Sequence, residues 1–298
     1  MNPYTPVSPQ GSGDGRGSRL MHKLRELMPQ RPRSESFSRF AGIEMIGSGC
    51  MGRVFRAYDA SIGGVVALKV SMGTEPSRIS FENEIRALSR IRHTNVVRLL
   101  DSGIFGDGIF SGRQFLVLGI VEGESLKDRV SREGRVGWQE ARHMLMQLCD
   151  ALSAAHEAGI IHRDVKPDNV LVSAGVATLL DFGVSQRMAS KYSLWNILGD
   201  RFMPGNLDYT APEVINGRCD GRTDIFSLGM LMRHALSGSP PDNAAWLFGS
   251  VMGAPQDPIV RDAGIPAEQA RIIACATEKC MDRRFQSALE MKAAIGGI

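Results

Sequence analysis

The chain has 298 residues, 43% hydrophobic and 22% charged, with a formal net charge of +3. Those values describe an ordinary globular chain with enough apolar material for a sizeable core. The charge is too weak to argue for nucleic acid or a membrane surface as a partner. No apolar run reaches the roughly 18 residues that a membrane helix needs, and the N-terminus lacks the apolar h-region of a secretory signal. Cys50, Cys149, Cys219, Cys275 and Cys280 are scattered without a C-x-x-C pair. That pattern points to reduced thiols in a cytoplasmic compartment, not to a metal knot or a disulfide framework.

Residues 1–36 read as a disordered tail rich in Gly, Ser, Pro and Arg, exemplified by the run from Gln10 to Ser18. Such a segment buries too little apolar surface to offset its ordering entropy. Within it Leu20, Leu24, Leu27 and Met28 recur at helical spacing, the pattern of either a partner-docking helix or a transient one. A Ser-rich, acid-poor tail is also compatible with an export address.

Order is expected from about Phe40. Ala41 to Ile46, Arg53 to Tyr58 and Val65 to Val70 read as three strands, the third carrying Ala67-Leu68-Lys69. Between the first two lies Ile46-Gly47-Ser48-Gly49-Cys50-Met51-Gly52-Arg53-Val54. Glycines there let the backbone approach a bound group and adopt positive φ, although a plain hairpin turn uses glycine too. Residues 77–92 read as a helix with Phe81, Ile85, Leu88 and Ile91 on one apolar face and Glu84 beside it. Val96 to Ser102 and Phe115 to Val121 read as two further strands, the second leading into Glu122-Gly123-Glu124.

Trp138 to Glu157 reads as a long helix with Ala141, Leu145, Leu148, Leu152 and Ala155 as its buried stripe, closed by Gly159. Next comes Ile161-His162-Arg163-Asp164-Val165-Lys166-Pro167-Asp168-Asn169, which sets an acid, a base and an amide on one loop. A loop of that composition can meet a hydroxyl, a phosphate and a metal ion together. Short strands at Val170 to Val172 and Thr178 to Leu180 deliver Asp181-Phe182-Gly183, where a carboxylate at a strand end suits metal coordination beside phosphates. Farther on stand Ala211-Pro212-Glu213, a helix start at Asp224, and Arg284. The chain has no internal repeat.

Taken together, these motifs resemble a eukaryotic-like Ser/Thr protein kinase of the compact kind also found in bacteria. The resemblance covers about Phe40 to Ile298. It implies an α+β, two-lobed fold over residues 37–298, with a β-rich N-lobe to about residue 121 and a mainly helical C-lobe from about 122. ATP and Mg²⁺ are the implied ligands, and protein Ser/Thr hydroxyls the implied acceptors. By match of motif, Asp164 resembles the catalytic base and Lys166 the γ-phosphate contact. Asn169 and Asp181 resemble Mg²⁺ ligands. Lys69 and Glu84 resemble the phosphate-positioning ion pair, and Gly119 and Val121 the backbone adenine contacts. Glu213 and Arg284 resemble a structural salt bridge, and Asp224 an anchor of the catalytic loop. The alternative function is a scaffold that binds nucleotide and partners without transfer; the joint presence of Lys69, Asp164, Asn169 and Asp181 favours transfer.

Three positions depart from the family pattern. Asn206 stands where a threonine usually bridges the catalytic Asp and Lys, and Gly119 replaces an acid at the hinge. The segment from Ser185 to Asp208 has no threonine and carries an apolar patch, Leu194-Trp195-Asn196-Ile197-Leu198. That patch is read either as packed or as a docking surface. Ser190 and Ser193 are the candidate phosphate acceptors facing Arg163.

Overall fold

A computed structural model of the protein describes residues 33–187, 208–241 and 264–298. Among them no helix is long and apolar enough to cross a membrane.

The first half is a six-stranded sheet. Its strands are β1 (Arg33–Glu35), β2 (Phe40–Ser48), β3 (Gly52–Asp59), β4 (Gly64–Ser71), β5 (Leu99–Phe105) and β6 (Gln114–Gly119), in the order β1-β5-β6-β4-β3-β2. All pairs are antiparallel except β1 with β5. Apolar residues (Val, Leu, Ala and Phe) dominate β4 and β6, as buried central strands require. One face closes on Phe40, Phe55, Leu68, Phe105, Phe115 and Val117. Side chains alternate across a strand, so the neighbouring residues Ala67, Leu116 and Leu118 join the other core, which is continuous with the helical half.

Against that second face lies α1 (Glu75–Leu88), started by Thr74, whose side chain caps Ser77 N–H, and by Pro76 in the first turn. It buries Phe81, Glu84 and Leu88. Among the described residues the C-terminal half contains the helices α2 (Leu126–Glu133), α3 (Trp138–Glu157), α4 (Gly221–Ser237), α5 (Ala267–Ala276) and α6 (Ala288–Gly296). Its small strands are β7 (Glu124–Ser125), β8 (Ile160–Ile161), β9 (Val170–Ser173), β10 (Val176–Leu179) and β11 (Gln186–Arg187). They pair as β10-β9-β7 and β11-β8. Helix α3 is the spine: Ala141, Leu145, Leu148, Leu152 and Ala155 are fully buried, matching the stripe expected from sequence. The fold is thus α+β with a β-rich and a helical lobe.

Several boundaries differ from the sequence reading. Regular structure is present ahead of Phe40, where order was expected to start: β1 pairs with the edge of β5, and Asp107 accepts both Phe37 N–H (2.6 Å) and the Ser36 hydroxyl (2.8 Å). Polar tethers of this kind carry no apolar periodicity. Val96 and Val97 are not strand residues of the large sheet; Leu179 C=O takes Val97 N–H at 3.0 Å, so β10 claims them and β5 starts at Leu99. The helix expected over residues 77–92 occupies Glu75–Leu88 instead. Strand β6 ends at Gly119, two residues before the expected Val121; its pairing with β4 stops at Val66, although β4 itself runs on to Gly64 beside β3.

Candidate active site

The glycine-rich turn between β2 and β3 is tied by Gly49 N–H to Gly52 C=O at 2.9 Å. Glycine is obligatory at Gly52, where a Cβ would stand 2.8 Å from Val70 C=O and 3.2 Å from the Phe81 ring. Ser48, Gly49, Cys50 and Arg53 are exposed, and Ile46 keeps 51% of its surface open. Gly47 and Met51 are half-buried, and Val54 packs half-buried on the core beside Ala67. In the β3–β4 ladder Val54 stands opposite Lys69. Leu118 and Gly119 pair with Ala67 and Val66, and Gly119 N–H donates to Arg98 C=O at 2.8 Å. The chain then leaves the sheet through Ile120 and Val121, so the hinge stretch runs alongside Ala67.

Lys69 Nζ lies 2.7 Å from Glu84 Oε2 and 3.0 Å from Asp181 Oδ1. Burial works against the ammonium, but two facing carboxylates outweigh it and hold Lys69 charged well above neutrality. One cation cannot satisfy two acids equally. Glu84 is fully buried, and its Oε1 has no hydrogen-bond partner among the described residues. Burial therefore pushes its carboxyl up to about 7 despite the lysine. Asp181 keeps 43% of its side-chain surface open, so its desolvation is milder than that of Glu84. Desolvation opposes its ionisation, yet Lys69 and the Gly183 N–H hold Asp181 well below the usual carboxylate range.

The loop after β8 is held from beneath by Asp224 in the first turn of α4. The carboxylate accepts His162 N–H (2.9 Å) and Arg163 N–H (2.7 Å), and contacts His156 Nε2 at 2.8 Å. Arg163 has φ 68° and Asp181 φ 53°, left-handed values at non-glycine residues. Each costs on the order of 1 kcal/mol. Hydrogen bonds to a charged acceptor contribute about 1.5–3 kcal/mol each, so Asp224 alone more than offsets the cost at Arg163. The strained turn presents Asp164 to Lys166 Nζ at 3.2 Å and to Asn169 Nδ2 at 3.0 Å. Asn169 Nδ2 also donates to Asp164 C=O at 2.8 Å, which leaves Oδ1 as its acceptor atom toward a cation.

His162 joins the two halves of the site, an arrangement to which the sequence reading assigned no role. Its Nε2 meets Leu180 C=O at 2.8 Å, its ring contacts Phe182 edge-on at 4.4 Å, and Leu180 N–H donates to Asn169 C=O at 2.8 Å. The loop carrying Asp164 and the strand end carrying Asp181 are thereby held side by side. His156 was missed as well. The only available signal was its place in the last turn of α3, a position shared by many surface histidines. Lys127, which pairs with Asp168 at 2.8 Å, gave no signal.

Lower in the helical lobe, Arg284 forms a two-pronged pair with Glu213 at 2.7 and 2.8 Å, with 3% and 8% of the residues exposed. Ser185 is buried, with N–H to Phe182 C=O at 3.0 Å. Asn206, Ser190, Ser193 and the Leu194 to Leu198 stretch lie outside the described residues, as do residues 1–32 of the tail. Among the described residues no cluster of three or more His, Cys, Asp or Glu is arranged to hold a metal. Mg²⁺ does not require one, because it binds through one or two carboxylates together with phosphates and waters. An ionised Asp181 open to the cleft and the Asn169 amide oxygen fit that requirement.

Comparison with known proteins agrees with this geometry. Residues 40–246 match the family model described as "Protein kinase domain". The chain is 32% identical over 267 residues to a probable serine/threonine-protein kinase PknB of Corynebacterium glutamicum, covering 85% of this chain and 41% of that protein. It is 30% identical over 260 residues to the serine/threonine-protein kinase PknB of Mycobacterium tuberculosis, covering 84% and 41%. It is 36% identical over 212 residues to the serine/threonine-protein kinase pkn2 of Myxococcus xanthus, covering 68% and 25%. The chain thus spans less than half the length of these relatives. With the family model matching more than half of its residues, the chain belongs to the protein kinase family.

Proposed function

We propose that this domain transfers the γ-phosphate of ATP to serine or threonine hydroxyls of proteins. One observation carries the reading. A single cluster contains a charged Lys69, an ionised Asp181 and an Asp164 flanked by Lys166 and Asn169, joined through His162. In this reading Asp164 accepts the proton of the acceptor hydroxyl, and Lys166, beside it, carries charge toward the transferring group. Lys69, positioned by Glu84, holds phosphate oxygens, while the turn from Gly47 to Gly52 covers them with backbone N–H groups. Val54, Ala67 and the backbone of Gly119 and Val121 receive the adenine. Mg²⁺, held by Asp181 and Asn169, would neutralise phosphate charge. A nucleotide-binding scaffold has no chemical need of Asp164 and Lys166 at 3.2 Å.

Protein Ser/Thr substrates follow from the family and from Lys166 in the catalytic loop. The five free cysteines support a reducing, cytoplasmic setting. The test of the function is transfer of labelled γ-phosphate to the chain itself and to a generic basic protein, with Asp164→Asn as the control. Transfer by the wild type alone is the expected result.

A further inference from the structure

Helix α1 touches the glycine-rich turn through a bond that the Lys69–Glu84 pair does not require. Ser77, fully buried in the first turn of α1, donates its hydroxyl to Met51 C=O. It also accepts Met72 N–H at 3.0 Å, and Met72 N–H lies 3.3 Å from Met51 C=O. Capping the helix is not the task of this hydroxyl, because Thr74 Oγ1 already serves as the cap. The same helix face carries Ser80 and Glu84 at spacings of three and four residues, positions that share one side of an α-helix. Ser80 Oγ stands so close to Gly183 that a Cβ on that glycine would collide with it, and Glu84 meets Lys69. Phe81, between them, lies under Gly52. One stripe of α1 therefore contacts three separate parts of the site: the turn, the lysine and the glycine after Asp181.

We propose that Ser77 is a positioning residue for ATP, a polar latch that fixes the Met51 carbonyl and so sets the height of the turn above the phosphates. The inference rests on the reading that this turn covers ATP. Removing the hydroxyl leaves Met51 C=O with only the longer bond from Met72, and the turn is then free to lift while Lys69 and Glu84 remain paired. Binding of nucleotide should suffer, and the chemical step, which depends on Asp164, should not.

The test is steady-state phosphate transfer by the full chain at varied ATP, with Ser77→Ala and Ser77→Cys compared with wild type and thermal melts run on each. Ser77→Ala should raise KM for ATP about five- to tenfold, the worth of one partly buried hydrogen bond, with kcat within about twofold of wild type. Cysteine is close in size but a weak donor, so Ser77→Cys should show a smaller rise in KM of the same kind. A role in folding alone would lower the melt and scale kcat with the folded fraction, leaving KM for ATP in place. An unchanged KM in folded Ser77→Ala overturns the latch. If that variant does not fold, Ser77→Cys decides by the same criterion. A wild-type chain that neither binds ATP nor transfers phosphate overturns the kinase reading and the latch with it, whereas loss of the KM effect in an active wild-type background overturns the latch only.

Discussion

Asp224 holds the backbone of Arg163 in a left-handed turn, with Oδ1 2.7 Å from the Arg163 N–H at φ 68°. The carboxylate is fully buried and also accepts His162 N–H. Burial disfavours its charge, but the histidine side chain and the two N–H donors hold it below the usual carboxylate range. A carboxyl lowered in the folded state contributes stability that is complete at neutral pH and is lost as pH falls below about 4. Asp224→Asn keeps the shape but turns an amide NH₂ toward a backbone donor. It should cost about 2–4 kcal/mol in urea unfolding at pH 7, and less at pH 3, where the carboxyl of the unfolded chain takes up a proton while the folded one, held below its usual range, resists. An equal loss at both pH values would contradict the charge argument.

Lys69→Met should reduce kcat/KM at least about a hundredfold while the protein still folds. The side chain holds phosphate in this account, and without it Glu84 can take up a proton. Transfer rates beside a thermal melt measure both effects. Near-normal turnover would mean that another cation positions the nucleotide.

The Glu84 carboxyl, pushed up to about 7 by burial and by the negative charge of Asp181, makes a second pH prediction. Its folded value lies above its unfolded value, so the folded state binds more protons between about pH 4.5 and 7. Wild-type stability should therefore fall as pH rises through that window. Glu84→Gln cannot ionise, so its stability should decline less between pH 5 and 7.5, by about 1–3 kcal/mol. Denaturant unfolding at the two pH values checks this, and parallel curves for the two proteins would show that Glu84 titrates normally.

Arg284→Met should destabilise by about 3–5 kcal/mol, because removing one partner leaves the Glu213 charge buried. Arg284 also donates to the Glu278, Arg222 and Lys279 carbonyls at 2.6, 3.0 and 3.4 Å, so three backbone acceptors lose a donor along with the carboxylate. The expected drop is in folding free energy, with kcat per folded molecule little changed. A variant as stable as wild type would show that the pair is dispensable.

Much of this was legible in the sequence because the site residues sit in contiguous motifs. Asp164, Lys166 and Asn169 fall within one loop, and Glu84 stood out from Glu82 by its place next to an apolar stripe. The structure places Glu84 at Lys69 and leaves Glu82 outside, paired with Arg78 and Arg86. What escaped was contact between distant segments. Asp107 tethering Phe37, His162 reaching Leu180, Lys127 reaching Asp168 and Ser77 reaching Met51 are polar contacts without periodicity. A lone serine or histidine reads the same whether it faces water or a buried carbonyl. The start of β5 failed for a related reason: Val97 is taken by Leu179 C=O, a contact that its own residue type does not announce.

The central claim is that Asp164 accepts the proton of a protein hydroxyl while other groups hold the nucleotide. Asp164→Asn removes the basic oxygen, and Asn169, whose Nδ2 donates to Oδ2 at 3.0 Å, loses an acceptor. The lysine, the hinge and the Asp181 carboxylate are left in place. The decisive measurement pairs γ-phosphate transfer with nucleotide affinity in Mg²⁺, for wild type and Asp164→Asn side by side. The account predicts that turnover falls by at least about a thousandfold, that ATP affinity stays within about threefold of wild type, and that a chelator abolishes wild-type transfer. Turnover retained in Asp164→Asn, or lost only in step with ATP affinity, would contradict it.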